Sequence, residues 1–261
     1  MYAGGADRNR IAPSASAASA VAALFVDERT RDTPALAIPR PEVQLVARFG
    51  PLAKGGLDIH VMGVREKVHR KLLRRGQRSV TARLQLGAHE AVLGVPASEL
   101  AGGIVAIDEL WGGAASRQLV NRLADSRSAT DAAAILDSAI AQRAATAEAG
   151  RPRVQLILDA ARRLTIASVA EVAADLKVSE RHLRRVFHHS VGMTPKTFAR
   201  LARFRRALRA ARQRGPAGWA SIAAGAGYYD QAHLIAEFRA FAGVTPQALL
   251  DELGAALAVG C

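Results

Sequence analysis

Apolar and polar positions alternate in the first third of the chain and later change period. In 80–87, Val80, Ala82, Leu84 and Leu86 fall on one side and Thr81, Arg83 and Gln85 on the other. That is the two-residue period of a half-buried strand. Segments 43–50 and 57–64 also read as strands. Beyond them the spacing lengthens and predicts helices over His89–Leu93, about 113–126 and 131–143, with Ser128 or Thr130 capping the last. Strands followed by helices predict an α+β N-terminal domain.

The last third of the chain repeats itself. Leu183, Phe187, Gly192, Thr194 and Pro195 recur 51 residues later as Leu234, Phe238, Gly243, Thr245 and Pro246. Val172 and Ala173 recur 50 residues later as Ile222 and Ala223, so one residue is inserted in the intervening turn. Each unit reads as helix, tight turn, helix and a Gly-x-Thr-Pro stop. In the first, Ser168 caps a helix over Val169–Asp175 and Ser179 caps one over 180–190. In the second, the helices are 219–224 and Gln231–Ala242, the latter capped by Asp230, with Gly225 and Gly227 in the turn. Leu183, Val186 and Phe187 share one face, as do Leu234, Ile235 and Phe238, while Arg181, Arg184, Arg185 and His188 take the other face of the first unit. Two helices joined by a short turn, the second with a basic outer face, form a helix-turn-helix whose second helix fits a DNA major groove. Between the units Thr194 caps a helix over Pro195–Arg214. At 1.5 Å per residue it spans about 30 Å, close to one turn of B-DNA. Phe198, Leu201 and Leu208 form its inward stripe, and Arg200, Arg203, Arg206, Arg209 and Arg212 are expected to stay exposed.

Charge sharpens this picture. The 261 residues carry a formal net charge of +13. Residues 151–214 hold 16 Lys/Arg against 4 Asp/Glu, whereas 215–261 hold 1 against 4. A surplus concentrated in one segment marks a surface for a polyanion. A second basic run, 65–78, has seven Lys/Arg and one Glu and is expected to be a solvated loop or short helix, with an anion contact or a second DNA contact as the alternative. The only cysteine is Cys261, which excludes a disulfide framework and a cysteine-ligated zinc site. His60, His69, His89, His182, His188 and His189 lack metal-ligand spacing, so no metal is expected. No catalytic motif such as GxSxG, HExxH, a P-loop or GxGxxG occurs, and neither enzyme activity nor a cofactor is expected. No run of 18 apolar residues suggests a membrane span.

The segments SVAEVAADLKVSERHLRRVF, GMTPKTF and IAAGAGYYDQAHLIAEFRAFAGVTP resemble the DNA-binding domain of the AraC/XylS family of bacterial transcription regulators. The resemblance covers residues 151–253. It implies an all-α domain of seven helices with two helix-turn-helix motifs joined by a long helix, and binding to double-stranded promoter DNA. It places base-reading positions at Arg181, Arg184 and Arg185 in the first unit and at Ala232, His233 and Ala236 in the second. Two of the latter three cannot hydrogen-bond a base edge, so the first unit is expected to carry most base discrimination, with Gln231 or His233 adding contacts. DNA backbone contacts are expected from Ser179, His182, His188, Lys196, Arg200, Arg206, Tyr229 and Arg239. Trp219 is expected to anchor the core.

The stretch LGAHEAVLGVPASELAGGIVAIDELWG is similar to an uncharacterised domain that precedes such DNA-binding domains. The implied organisation is a disordered tail over 1–20, an α+β domain over 21–145 that senses a small-molecule effector or dimerises, a linker over 146–152, the DNA-binding domain over 153–253 and a tail over 254–261. A cytoplasmic location follows from the resemblance, with RNA polymerase as a partner if the protein activates, and a homodimer among the open assemblies.

Overall fold

Strong alternation makes the central strands. The computed structural model describes residues 10–146, 151–214 and 218–260. In chain order the N-terminal region comprises β1 (Arg10–Ile11), β2 (Val21–Glu28), β3 (Thr33–Ala37), β4 (Gln44–Phe49), β5 (Leu57–Met62), β6 (His69–Leu73), β7 (Arg78–Leu84), α1 (His89–Leu93), α2 (Ala97–Leu100), β8 (Ile104–Ala106), α3 (Ile107–Trp111), α4 (Gly113–Ala124) and α5 (Ala129–Ala145). An antiparallel sheet runs β1-β2-β7-β4-β5-β8, and β3 pairs with β6 in a separate ribbon. Val80, Ala82 and Leu84 of β7 are fully buried, as are Leu45 and Ala47 of β4 and Val61 of β5. Helix α5 packs across β2 and β7 through Ala132, Ala133, Leu136 and Ile140. Ser128 is its cap, accepting from the Asp131 amide at 3.0 Å.

Two readings of this region change. Residues 10–20, expected to be tail, are packed: Ala17 and Ala20 are buried, and the Ser14 amide donates to the buried carboxylate of Asp137 at 3.1 Å. Small side chains fill this seam, and their low bulk made the segment look unstructured. The remainder of that tail, 1–9, lies outside the described residues. The run 65–78 is neither loop nor helix at its centre but strand β6, which ends in a turn where Arg74 meets Asp32 at 2.8 Å. Most of the expected linker, 147–150, lies outside the described residues.

The C-terminal region has seven helices among the described residues: α6 (Arg151–Arg163), α7 (Val169–Asp175), α8 (Glu180–Val191), α9 (Pro195–Arg214), α10 (Trp219–Ala226), α11 (Gln231–Ala242) and α12 (Pro246–Gly260). Their bounds follow the sequence pattern closely, except that α12 continues to Gly260 where a tail was expected. Cys261 lies outside the described residues. Aromatic rings seal the core: Phe187 meets Phe198 edge-on at 5.2 Å, and Phe204 lies 4.7 Å from Phe238 and 5.0 Å from Phe241. Trp219 is half-buried and meets Phe238 at 6.2 Å, at the edge of that core. No helix among the described residues is long and apolar enough to cross a membrane.

Candidate nucleic-acid interface

The first motif is fixed by two caps and a left-handed turn. Ser168 and Glu171 form a reciprocal capping box at the start of α7, the serine amide donating to the carboxylate at 2.8 Å. Those bonds hold the Glu171 carboxyl below its usual range. The chain then reverses at Lys177, whose φ of 55° is the only positive value at a non-glycine residue among the described residues. The Val178 amide closes the turn on the Ala173 carbonyl at 3.0 Å. Ser179 caps α8 by accepting from the His182 amide at 3.1 Å.

The second motif repeats this 50 residues on. Gly227 takes the left-handed position (φ 82°), and the Tyr228 amide donates to the Ala223 carbonyl at 2.9 Å. Gly225 is inside α10 rather than in the turn. The next cap, Asp230, accepts from the His233 amide at 2.7 Å and stands 51 residues after Ser179. The inserted residue is therefore Tyr229, and it is 94% exposed. Helices α8 and α11 both end in left-handed glycines, Gly192 (φ 77°) and Gly243 (φ 75°).

With Leu183 and Phe187 fully buried, α8 turns Arg181, Arg184, Arg185 and His188 outward. Arg184 pairs along the helix with Glu180 at 2.5 Å, and Arg185 approaches His182 Nδ1 at 3.5 Å. The structure thus brings the three expected base-reading arginines onto one exposed face. On α11, Leu234 and Phe238 are buried, and Gln231, Ala232, His233, Ala236 and Arg239 are exposed. Lys196 is exposed at the start of α9.

The helix between the motifs corrects the expectation of five outward arginines. Arg200 is half-buried, with Nε donating to Glu237 of α11 at 2.9 Å. Arg206 spreads its guanidinium between the Thr165 carbonyl (2.7 Å) and the Ala226 carbonyl (3.3 Å), joining the turn before α7 to the end of α10. Arg203 stacks toward the buried Tyr228 ring at 5.9 Å. Arg209 and Arg212 remain exposed. Arg200 and Arg206 therefore brace the two motifs against α9. The sequence held a signal for this. Glu237 falls three residues after the buried Leu234 and four before Phe241, a carboxylate at a core-facing position that needed a cation.

Residues 172–252 match a family model described as a helix-turn-helix domain. They form an AraC-type helix-turn-helix domain. The protein carrying this AraC-type domain is a DNA-binding transcription regulator. Among solved structures the chain is similar to ToxT from Vibrio cholerae O395, at 10% identity over 88% of this chain and 96% of that one, with a TM-score of 0.42. It is also similar to that protein bound to (E)-4-(8-methylnaphthalen-1-yl)but-3-enoic acid, at 10% identity over 88% and 97% with a TM-score of 0.44. Unsaturated fatty acid bound wild-type ToxT from Vibrio cholerae strain SCE256 is 9% identical over 87% and 93%, with a TM-score of 0.42. No curated protein sequence matches the chain.

Proposed function

We propose that one protomer reads an asymmetric promoter site with two heads about one helical turn apart. The observation that carries this reading is the equivalence of the two motifs: the same turn bond and the same helix cap occur twice, braced against one 20-residue helix by Arg200 and Arg206. Helix α8 supplies most base discrimination through Arg181, Arg184 and Arg185, whose guanidinium forks suit guanine O6 and N7. Helix α11 adds Gln231 and His233, with Ala232 and Ala236 against thymine methyl groups. Ser179, His182, His188, Lys196, Tyr229 and Arg239 meet backbone phosphates. Arg200 and Arg206 position the heads instead.

The unit over 153–253 binds DNA, and residues 21–145 sense a small-molecule effector or hold two protomers together as a homodimer. The protein acts in the bacterial cytoplasm, with RNA polymerase as a further partner if it activates. Binding-site selection with purified full-length protein tests the reading. The expected product is a two-part, non-palindromic motif whose first part is lost with Arg184→Ala and Arg185→Ala. Recovery of unrelated sequences, equally salt-sensitive in all variants, would contradict it.

A further inference from the structure

The two most exposed large apolar side chains among the described residues are Ile166, at 86%, and Tyr229, at 94%. Both stand on loops of the helix-turn-helix region, and one guanidinium ties those loops together. Arg206 donates through Nη2 to the Thr165 carbonyl at 2.7 Å and through Nη1 to the Ala226 carbonyl at 3.3 Å. Ile166 adjoins Thr165 in the turn between α6 and α7, and Tyr229 follows Ala226 by three residues in the turn between α10 and α11. Arg206 itself lies near the middle of α9, the helix that separates the two heads. The two side chains therefore belong to the junction between the first motif and the second.

The fold explains neither of them. The turn at Ile166 is closed by main-chain bonds, with the amides of Ile166 and Ala167 donating to the Arg163 carbonyl at 3.0 and 2.9 Å, and by the fully buried Leu164 before it. The side chain at 166 could be polar, as turn residues usually are. Tyr229 is the residue that the second motif has in excess of the first, and its neighbour Tyr228 fills the core of that turn. Location relative to DNA is set by the adjoining caps. Tyr229 directly precedes Asp230, the cap of α11, and so stands at the end of the recognition helix that a helix-turn-helix presents to base edges. Ile166 lies two residues before Ser168, the cap of α7, and the first helix of such a motif crosses the DNA backbone. Two heads in successive major grooves on one DNA face straddle a minor groove. The walls of that groove are deoxyribose carbons, against which apolar side chains gain by leaving water.

Resting on the two-head reading above, we propose that Ile166 and Tyr229 pack into the minor groove of the spacer between the two parts of the site, and so select spacers by shape. The contact needs a groove wide enough to admit an aliphatic chain and an aromatic ring. A-tracts are stiff and narrow there, whereas TA and CA/TG steps deform easily. A spacer with such steps binds better than an A-tract, although none of its bases is read by a hydrogen bond. Neither side chain is charged, so the contact releases no counterion and leaves the salt dependence of binding as it is.

The test keeps both parts of the selected site and rewrites only the spacer, as an A-tract or with TA steps, with Kd of the full-length protein read by anisotropy. The native chain is expected to bind the TA spacer roughly three-fold or more tightly than the A-tract. The preference is expected to vanish in Ile166→Ser/Tyr229→Ser, with Tm and the salt slope unchanged, and to persist in Ile166→Val/Tyr229→Phe. No preference in the native chain, the same preference in the serine variant, or a flatter salt slope in that variant would overturn the contact. A second measurement does not depend on affinity. Ile166→p-benzoylphenylalanine is expected to photocrosslink to the spacer, and crosslinks confined to either recognition part, or only to another protein, would also overturn it. Failure to select any two-part site would instead overturn the two-head reading. A two-part site whose spacer the native chain and the serine variant treat alike would overturn the spacer contact alone.

Discussion

At the scale of single residues, the arginines divide into two groups that sequence alone does not separate. Arg184 is exposed and held only by its neighbour along the helix, Glu180, a pairing worth a few tenths of a kcal/mol in water. Arg184→Ala is expected to weaken binding to the selected site by about 1–3 kcal/mol, with Tm unchanged, as measured by anisotropy and thermal melting. Arg200 faces the buried Glu237. Removing one partner of a buried pair strands the other charge and costs up to about 3–5 kcal/mol. Because Arg200 is partly exposed and keeps some solvent, Glu237→Ala is expected to cost less, roughly 1–3 kcal/mol in chemical denaturation. His89 makes a different prediction. Burial, opposed by Glu90, holds its imidazole down from 6.5 to about 4, and its Nε2 accepts from the Ala97 amide at 2.9 Å. Its folded value lies below its unfolded value, so its contribution is complete above pH 6.5 and is lost as pH falls toward 4. The loss is on the order of 3 kcal/mol. A denaturation series across that window is expected to show this slope, and His89→Gln to flatten it.

Among the elements, the C-terminal helices were legible because most starts carry a short polar cap and several stops a glycine, although α7 ends at the left-handed Lys177 and α10 starts after Gly218 with no side-chain cap. Ser168, Ser179, Thr194 and Asp230 all accept from a first-turn amide, a chemistry readable from residue type and position. The sheet was half-legible. Strands β5 and β7 alternate, but β4 buries Leu45, Val46 and Ala47 in succession and β2 buries residues on both faces, including Val21, Ala23, Leu24 and Phe25, so neither sequence has a two-residue period. Strand β6 buries only Leu73 and exposes His69, Arg70, Lys71 and Leu72, and the role of Arg70 came from its bonds to α11 and Glu252, more than 170 residues away in the chain. Long-range partners of that kind leave no local pattern. The two helix-ending glycines test the packing of these elements. A Cβ on Gly192 would lie 2.7 Å from the Ala97 carbonyl oxygen of α2, whereas one on Gly243 meets nothing within 4 Å. Both substitutions carry the left-handed strain of about 1–2 kcal/mol. Gly192→Ala is expected to lower stability beyond Gly243→Ala by a further 1–3 kcal/mol or so, an overpacking cost. Equal losses in denaturant melts would mean that α8 does not press on α2.

For the whole molecule, the positive surplus lies in 151–214, which contains the first head and the joining helix. Each phosphate neutralised contributes about −0.9 to the slope of log K against log salt. Lys196→Ala is expected to weaken binding equally on all sequences and to flatten that slope by about one unit. The N-terminal region grips both heads, α2 against the end of α8 and residues 67–70 against the end of α11. One braced helix between two unlike heads fixes their spacing within a single protomer. The most direct test takes the selected site and inserts 5 or 10 base pairs between its two parts, with affinity read by anisotropy. A rigid pair of heads cannot follow either insertion, so both are expected to reduce binding to that of the first part alone. Full affinity retained with the 10-base-pair insertion, which restores the DNA face but not the distance, would contradict a single rigid protomer reading both parts.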